Sequence, residues 1–113
     1  MPLYQFIQTP VFSVRLDAVG EPELLGEIES EILRNPLGGS LLKGGIRKIR
    51  VASSERAEGK RGGFRVCYFY QEVERVYLLF LIDKRRAPDL TSSQEAVLIR
   101  ELRLILNDVK GRK

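Results

Sequence analysis

The sequence predicts an α+β fold, with N-terminal helices and a C-terminal helix packed on one side of a small, mostly antiparallel sheet. Two stretches rich in aromatic and β-branched residues, "FRVCYFYQEV" and "RVYLLFLID", follow one another across a tight Glu74-Arg75 turn. Such near-continuous apolarity marks neighbouring strands at the centre of a sheet. Helical periodicity flanks them on both sides, in "EPELLGEIESEILRNP" and in the segment after Asp89. Helices and strands thus fall in separate runs rather than alternating, as in α+β architectures.

Element by element, "FIQTPVF" (Phe6–Phe12) reads as a short first strand interrupted by Pro10, hence an edge strand or one that ends early. "SVRLDAV" is compatible with a short helix. In "EPELLGEIESEILRNP", Pro22 suits a first turn, and Glu21 and Glu23 favour the positive end of the helix dipole. Leu24, Leu25, Ile28 and Ile32 form one apolar stripe, and Asn35-Pro36 stops the helix. "NPLGGSLLKGG" is a glycine-punctuated loop. In "GIRKIRVA", Ile49 and Val51 alternate with Lys48 and Arg50, the period of a strand. The polar "SSERAEGKRGG" connects it to the central pair, completing an antiparallel meander. Thr91 with Gln94, or Ser92 with Glu95, carries a capping-box signature ahead of a stripe at Leu98, Leu102, Ile105 and Val109. There is no internal repeat and no domain boundary, so residues 1–113 read as a single domain.

Apolar residues make up 43% of the chain and charged ones 30%, the balance of a folded domain rather than a disordered one. No apolar run approaches the ~18–20 residues of a spanning helix, so no membrane association is expected. "MPLYQFIQTP" lacks a basic stretch followed by an apolar segment, so no secretory signal is expected, and the cytoplasm is the expected compartment. The chain has no histidine and one cysteine, Cys67. That composition disfavours a zinc site or any other metal site, removes the commonest general base, and leaves no intramolecular disulfide. No cofactor is expected. Cys67, in mid-strand, reads as core packing.

The net charge of +4 is unevenly spread. Residues 1–36 carry two basic side chains against six acidic ones, whereas residues 43–65 carry eight basic against two acidic. A chain so polarised has the pattern expected when one face meets phosphates, the other reading being ordinary surface and loop charges that keep a solvated hairpin soluble. Strand alternation puts Arg65, Cys67 and Phe69 on one face and Phe64, Val66, Tyr68 and Tyr70 on the other. Arg65, at the start of a central strand, is held more rigidly than a loop arginine, and its guanidinium matches phosphate oxygens in a two-pronged geometry. Lys60 and Arg61 adjoin Gly62 and Gly63, where backbone can approach a ligand closely. Lys84, Arg85 and Arg86 end the neighbouring strand, which in a meander returns to the start of the preceding one. Three basic clusters, including Lys48 and Arg50, are therefore expected at one end of the sheet. Tyr68, Tyr70 and Tyr77 read as sheet packing rather than base-stacking platforms.

"GGIRKIRVA", "GKRGGFRVCYFY" and "VYLLFLIDKRRAPDLT", taken in order, resemble the HigB/RelE family of bacterial toxins, in its HigB-like branch. The resemblance covers about residues 4–110 and includes the order of the elements. It implies a RelE-like fold and ribosome-dependent cleavage of mRNA by an endoribonuclease. It also implies a cognate helix-turn-helix antitoxin, through which alone DNA would be contacted. By position, Arg65 matches the strand arginine at the scissile phosphate, Lys60 the loop lysine, and Lys84 the strand-end lysine, which makes these three the expected catalytic residues. Arg47, Lys48 and Arg50 match the basic strand, and with Arg61, Arg85 and Arg86 they are the expected RNA-binding residues. Arg61 stands where the family has a small residue, and no histidine supplies acid–base chemistry. A non-catalytic RNA- or ribosome-binding translation inhibitor of the same fold is the alternative, and a module whose only partner is a small protein is a third.

Overall fold

A computed structural model describes residues 4–56, 63–71, 74–86 and 89–111, with side chains through residue 107. In chain order the elements are β1 (Gln5–Gln8), α1 (Pro10–Val19), α2 (Leu24–Arg34), β2 (Ser40–Leu41), β3 (Arg47–Val51), β4 (Phe64–Gln71), β5 (Arg75–Asp83) and α3 (Ser92–Gly111). The strands form a single sheet in the order β1-β5-β4-β3-β2. β1 runs parallel to β5, and every other pairing is antiparallel. Among the described residues the chain is thus an α+β fold with three helices and a mostly antiparallel five-stranded sheet.

The first strand is an edge strand that ends early, as Pro10 predicts, and Pro10 itself lies beyond it. β1 ends at Gln8, and Pro10 opens α1, where its missing N–H and fixed φ cost nothing. Thr9 is the N-cap, and its hydroxyl oxygen accepts the Phe12 N–H at 3.2 Å. This junction also solves an edge problem. β1 pairs with β5 only as far as Leu78, which leaves the carbonyls beyond it exposed on that side. The Thr9 N–H donates to the Leu78 carbonyl at 3.1 Å, the Thr9 hydroxyl to the Leu79 carbonyl at 3.2 Å, and the Arg15 Nε to the Leu81 carbonyl at 2.6 Å. Arg15 also lies over the Phe80 ring, 4.1 Å from its centroid. α1 therefore continues the edge that β1 begins.

The helices do not share one side of the sheet. Phe12 of α1 and Leu24, Ile28 and Ile32 of α2 pack on Val51, Phe64, Val66 and Tyr68. Leu98 and Leu102 of α3 pack on the opposite face, against Cys67, Phe80 and Ile82. The physical reason is the continuous apolarity of β4 and β5: alternate residues point both ways, so both faces need cover. An irregularity in the β4–β5 ladder at Cys67/Tyr68 pairs Cys67 with Phe80 and Tyr68 with Leu78, leaving Leu79 as the extra residue. That bulge lets Leu79 and Phe80 both join the α3 face while Leu78 and Leu81 join the other.

The capping box resolves to the Thr91–Gln94 pair, whose two reciprocal bonds measure 3.0 and 3.1 Å. The side chain of Val109, expected in the α3 stripe, lies outside the described ones. Pro22 and Glu23 form a turn before α2 rather than its first turn. The two-residue β2, within the loop read as glycine-punctuated, pairs with β3.

Candidate functional site

Cross-strand register builds a cationic surface on the face that α3 covers only in part. Arg50 on β3 pairs directly with Arg65 on β4, which pairs with Ile82 on β5; in the next row on that face Lys48 pairs with Cys67, which pairs with Phe80. Arg65 is only 8% exposed, held by the central strand, whereas Arg50 at the neighbouring position is open to solvent. Burial, and then the charge of Arg50, lowers the pKa of the Arg65 guanidinium, with Asp89 opposing. The Lys84 N–H donates to the Gly63 carbonyl at 3.1 Å, so the end of β5 does return to the start of β4.

Asp89, in the connection from β5 to α3, receives two hydrogen bonds of 2.8 Å from the Lys48 ammonium. Burial pushes the Asp89 carboxyl up, but the Lys48 hydrogen bond, the Leu90 N–H and the charges of Lys48 and Lys84 outweigh it. The carboxyl titrates below its ordinary value. Cys67, beneath this surface, is fully buried, and burial pushes its thiol up to about 12. A thiol so far from ionising is no nucleophile.

The remaining expected residues divide. Arg47 points away from Lys48 and Arg50: its guanidinium donates to the Leu37 carbonyl at 2.7 Å, on the α2 side, where it anchors the loop before β2. Arg86 is exposed but turned toward α1, 4.0 Å from the Asp83 carboxylate, and lines a shallow cavity with Arg15 and Leu81. The Arg85 N–H donates to Asp83 at 3.0 Å. Lys60 and Arg61 lie outside the described residues. Lys48, Arg50, Arg65 and Lys84 are therefore brought together, and Arg47 and Arg86 are not. The tyrosines pack: Tyr68 is buried with its hydroxyl donating to the Pro36 carbonyl at 2.8 Å, and Tyr70 lies 5.9 Å from Tyr4 between ring centroids.

Two residues escaped sequence reasoning. Arg56, which composition counts with the loop cations, has its side chain largely sheltered from solvent. It makes a two-pronged pair with Asp83 at 2.6 and 3.0 Å, a 3.2 Å contact with Glu21, and a cation–π contact with Phe64 at 4.3 Å. The Ser53 hydroxyl donates to the other Glu21 oxygen. Asp89 was legible only as part of an Asp-Leu-Thr run; its one distinguishing signal is an acidic residue closing a basic segment. Among the described residues no group of acidic or cysteine side chains could hold a metal ion, and no helix is long and apolar enough to cross a membrane.

Fold and site define an α+β protein with a cationic patch on one face of its sheet. No family model matches the chain.

Proposed function

We propose that the chain is a RelE-like toxin of the HigB/RelE type, a ribosome-dependent mRNA endonuclease neutralised by a helix-turn-helix antitoxin. The observation that carries this reading is the placement of Arg65: a guanidinium fixed on a central strand, flanked by Arg50 and near Lys48 and Lys84. In the reaction, the ribose O2′ attacks the adjacent phosphorus and the P–O5′ bond breaks. The products are a 2′,3′-cyclic phosphate and a 5′-hydroxyl. Arg65 stabilises the charge that develops on the phosphorane, and the other cations hold the backbone in line. Proton transfer falls to Lys60 or Lys84. Lysine is almost fully protonated at neutral pH, so intrinsic cleavage is feeble and the ribosome must shape the RNA.

The second reading, a translation inhibitor that binds RNA without cutting it, is favoured by the absence of histidine and by the low basicity of Asp89, the carboxylate at this surface. Inducible expression with early mapping of mRNA 5′ ends separates the two, using wild type and an Arg65→Ala, Lys60→Ala double variant. Growth arrest with new in-frame ends, both lost in the variant, supports the nuclease. Arrest without new ends supports the non-cutting inhibitor. No arrest, with soluble protein present, removes both readings.

A further inference from the structure

Asp89 occupies the cationic surface in a particular way. Both of its oxygens bond the Lys48 ammonium, and Oδ1 also accepts the Leu90 N–H at 2.7 Å. Lys48 is 19% exposed and Asp89 49%, so the lysine is sheltered while the carboxylate remains at the solvent boundary. A carboxylate presents two oxygens and one negative charge, as does a phosphodiester through its non-bridging oxygens. We propose that Asp89 is a built-in stand-in for a phosphate, holding the Lys48 position of the Lys48–Arg50–Arg65 surface in the ligand-free chain until an RNA backbone phosphate displaces it. This rests on the RNA-binding reading above and adds a regulation to it: Asp89 sets the threshold a polyanion must exceed.

Two alternatives fit the geometry less well. As a general base, Asp89 is handicapped by the lysine that keeps it ionised and weakly basic. As a cap for α3 it is redundant, because Thr91 and Gln94 already satisfy each other at that terminus. The exchange is also balanced in charge, one anion replacing another beside Arg50 and Arg65, so the like-charged pair is never left without a nearby negative group.

The test is Asp89→Asn, which keeps the shape and the acceptor for Leu90 and removes the charge. Binding of a labelled single-stranded RNA oligonucleotide is followed by fluorescence anisotropy across a salt series. In the wild type the displaced Asp89 carboxylate takes up a cation as the RNA phosphate sheds one; without that carboxylate the release is not offset, so the slope of log affinity against log salt steepens by ~0.7, equivalent to about fivefold tighter binding at 0.1 M salt relative to 1 M. Lys48→Ala cancels that gain in the Asp89→Asn background while costing little in the wild type, a coupling that independent sites do not show. Equal affinity and an unchanged slope overturn the proposal.

A second measurement needs no variant. Titration of wild type with inorganic tripolyphosphate shifts the Asp89 carboxyl carbon resonance as the lysine is lost, and an unmoved resonance at saturation overturns displacement. RNA binding without an Asp89 response removes this inference and leaves the RNA reading. A tripolyphosphate response without RNA binding removes the RNA reading and, with it, displacement by RNA. Binding of neither removes both.

Discussion

Arg50 and Arg65 are direct cross-strand partners, two like charges set side by side on β3 and β4. Such a pair opposes sheet formation, and nothing in the packing of the strands requires it, since Ile49 and Val51 on the other face of β3 supply the core contacts. A local cost of this type is characteristic of a surface kept for binding.

Replacing Arg50 therefore separates stability from binding. Arg50→Thr, with a β-branched residue in a strand, raises stability by ~0.5 kcal/mol in urea denaturation, through relief of the pair. If the proposed RNA-binding role holds, the same variant should weaken single-stranded RNA binding and flatten its salt slope by ~0.7. Weakened binding with reduced stability would mean that Arg50 is a structural residue.

The Arg56–Asp83 pair behaves in the opposite way. Arg56 and Asp83 are 7% and 15% exposed, so removing Asp83 takes the two-pronged partner from a sheltered guanidinium and leaves Glu21, at 3.2 Å, as counter-charge. Asp83→Ala costs about 3 kcal/mol by urea denaturation. Arg56 hydrogen bonds hold the Asp83 carboxyl below its ordinary range, despite burial. A carboxyl lowered in the folded state stabilises fully above its unfolded value of ~3.9, and that contribution is lost as pH falls through the lower native value. Wild type should accordingly lose stability between neutral and strongly acidic pH more steeply than Asp83→Asn.

Thr9 serves the helix and the sheet at once, accepting from Phe12 and donating to Leu79. Thr9→Val keeps the shape and removes both bonds, and should cost about 1–2 kcal/mol. Hydrogen exchange locates the effect: protection should fall at the start of α1 and along the outer edge of β5, while β3 remains protected. Uniform loss across the sheet would contradict the role of α1 as a continuation of that edge.

Cys67 should be silent in the folded protein. Its thiol, displaced to about 12, is essentially un-ionised at pH 8, and no part of it reaches solvent. Reaction with a thiol-specific disulfide reagent at pH 8 should proceed at the rate of opening of the β4–β5 core and become rapid in denaturant. Fast labelling of native protein would contradict the burial.

Much of the secondary structure and the division of faces was legible in the sequence, because those features depend on neighbours along the chain. Period-2 alternation assigned Arg65 and Cys67 to one face and Val66 and Tyr68 to the other, and the capping-box pattern placed the start of α3. Helical spacing found Leu24, Ile28 and Ile32. Where the sequence misled, the deciding contact was non-local. Pro10 marks a short edge strand with an early end, as the sequence implies, but its role as first residue of α1 was hidden because it depends on Thr9 meeting the edge of β5.

The sequence by itself determined an α+β chain with a basic middle segment and a strand arginine at Arg65, since periodicity, capping and charge are local properties. Only the tertiary structure decided that β1 lies parallel beside β5, that α3 crosses to the far face, and that a bulge at Leu79 keeps β4 and β5 in phase. It also sent Arg47 to the Leu37 carbonyl, sheltered Arg56 against Asp83 and set Asp89 on Lys48. Each of these partners is fixed by strand order and register, so the same side chain becomes a binding group, a structural tie or a counter-charge according to which distant residue the sheet brings beside it.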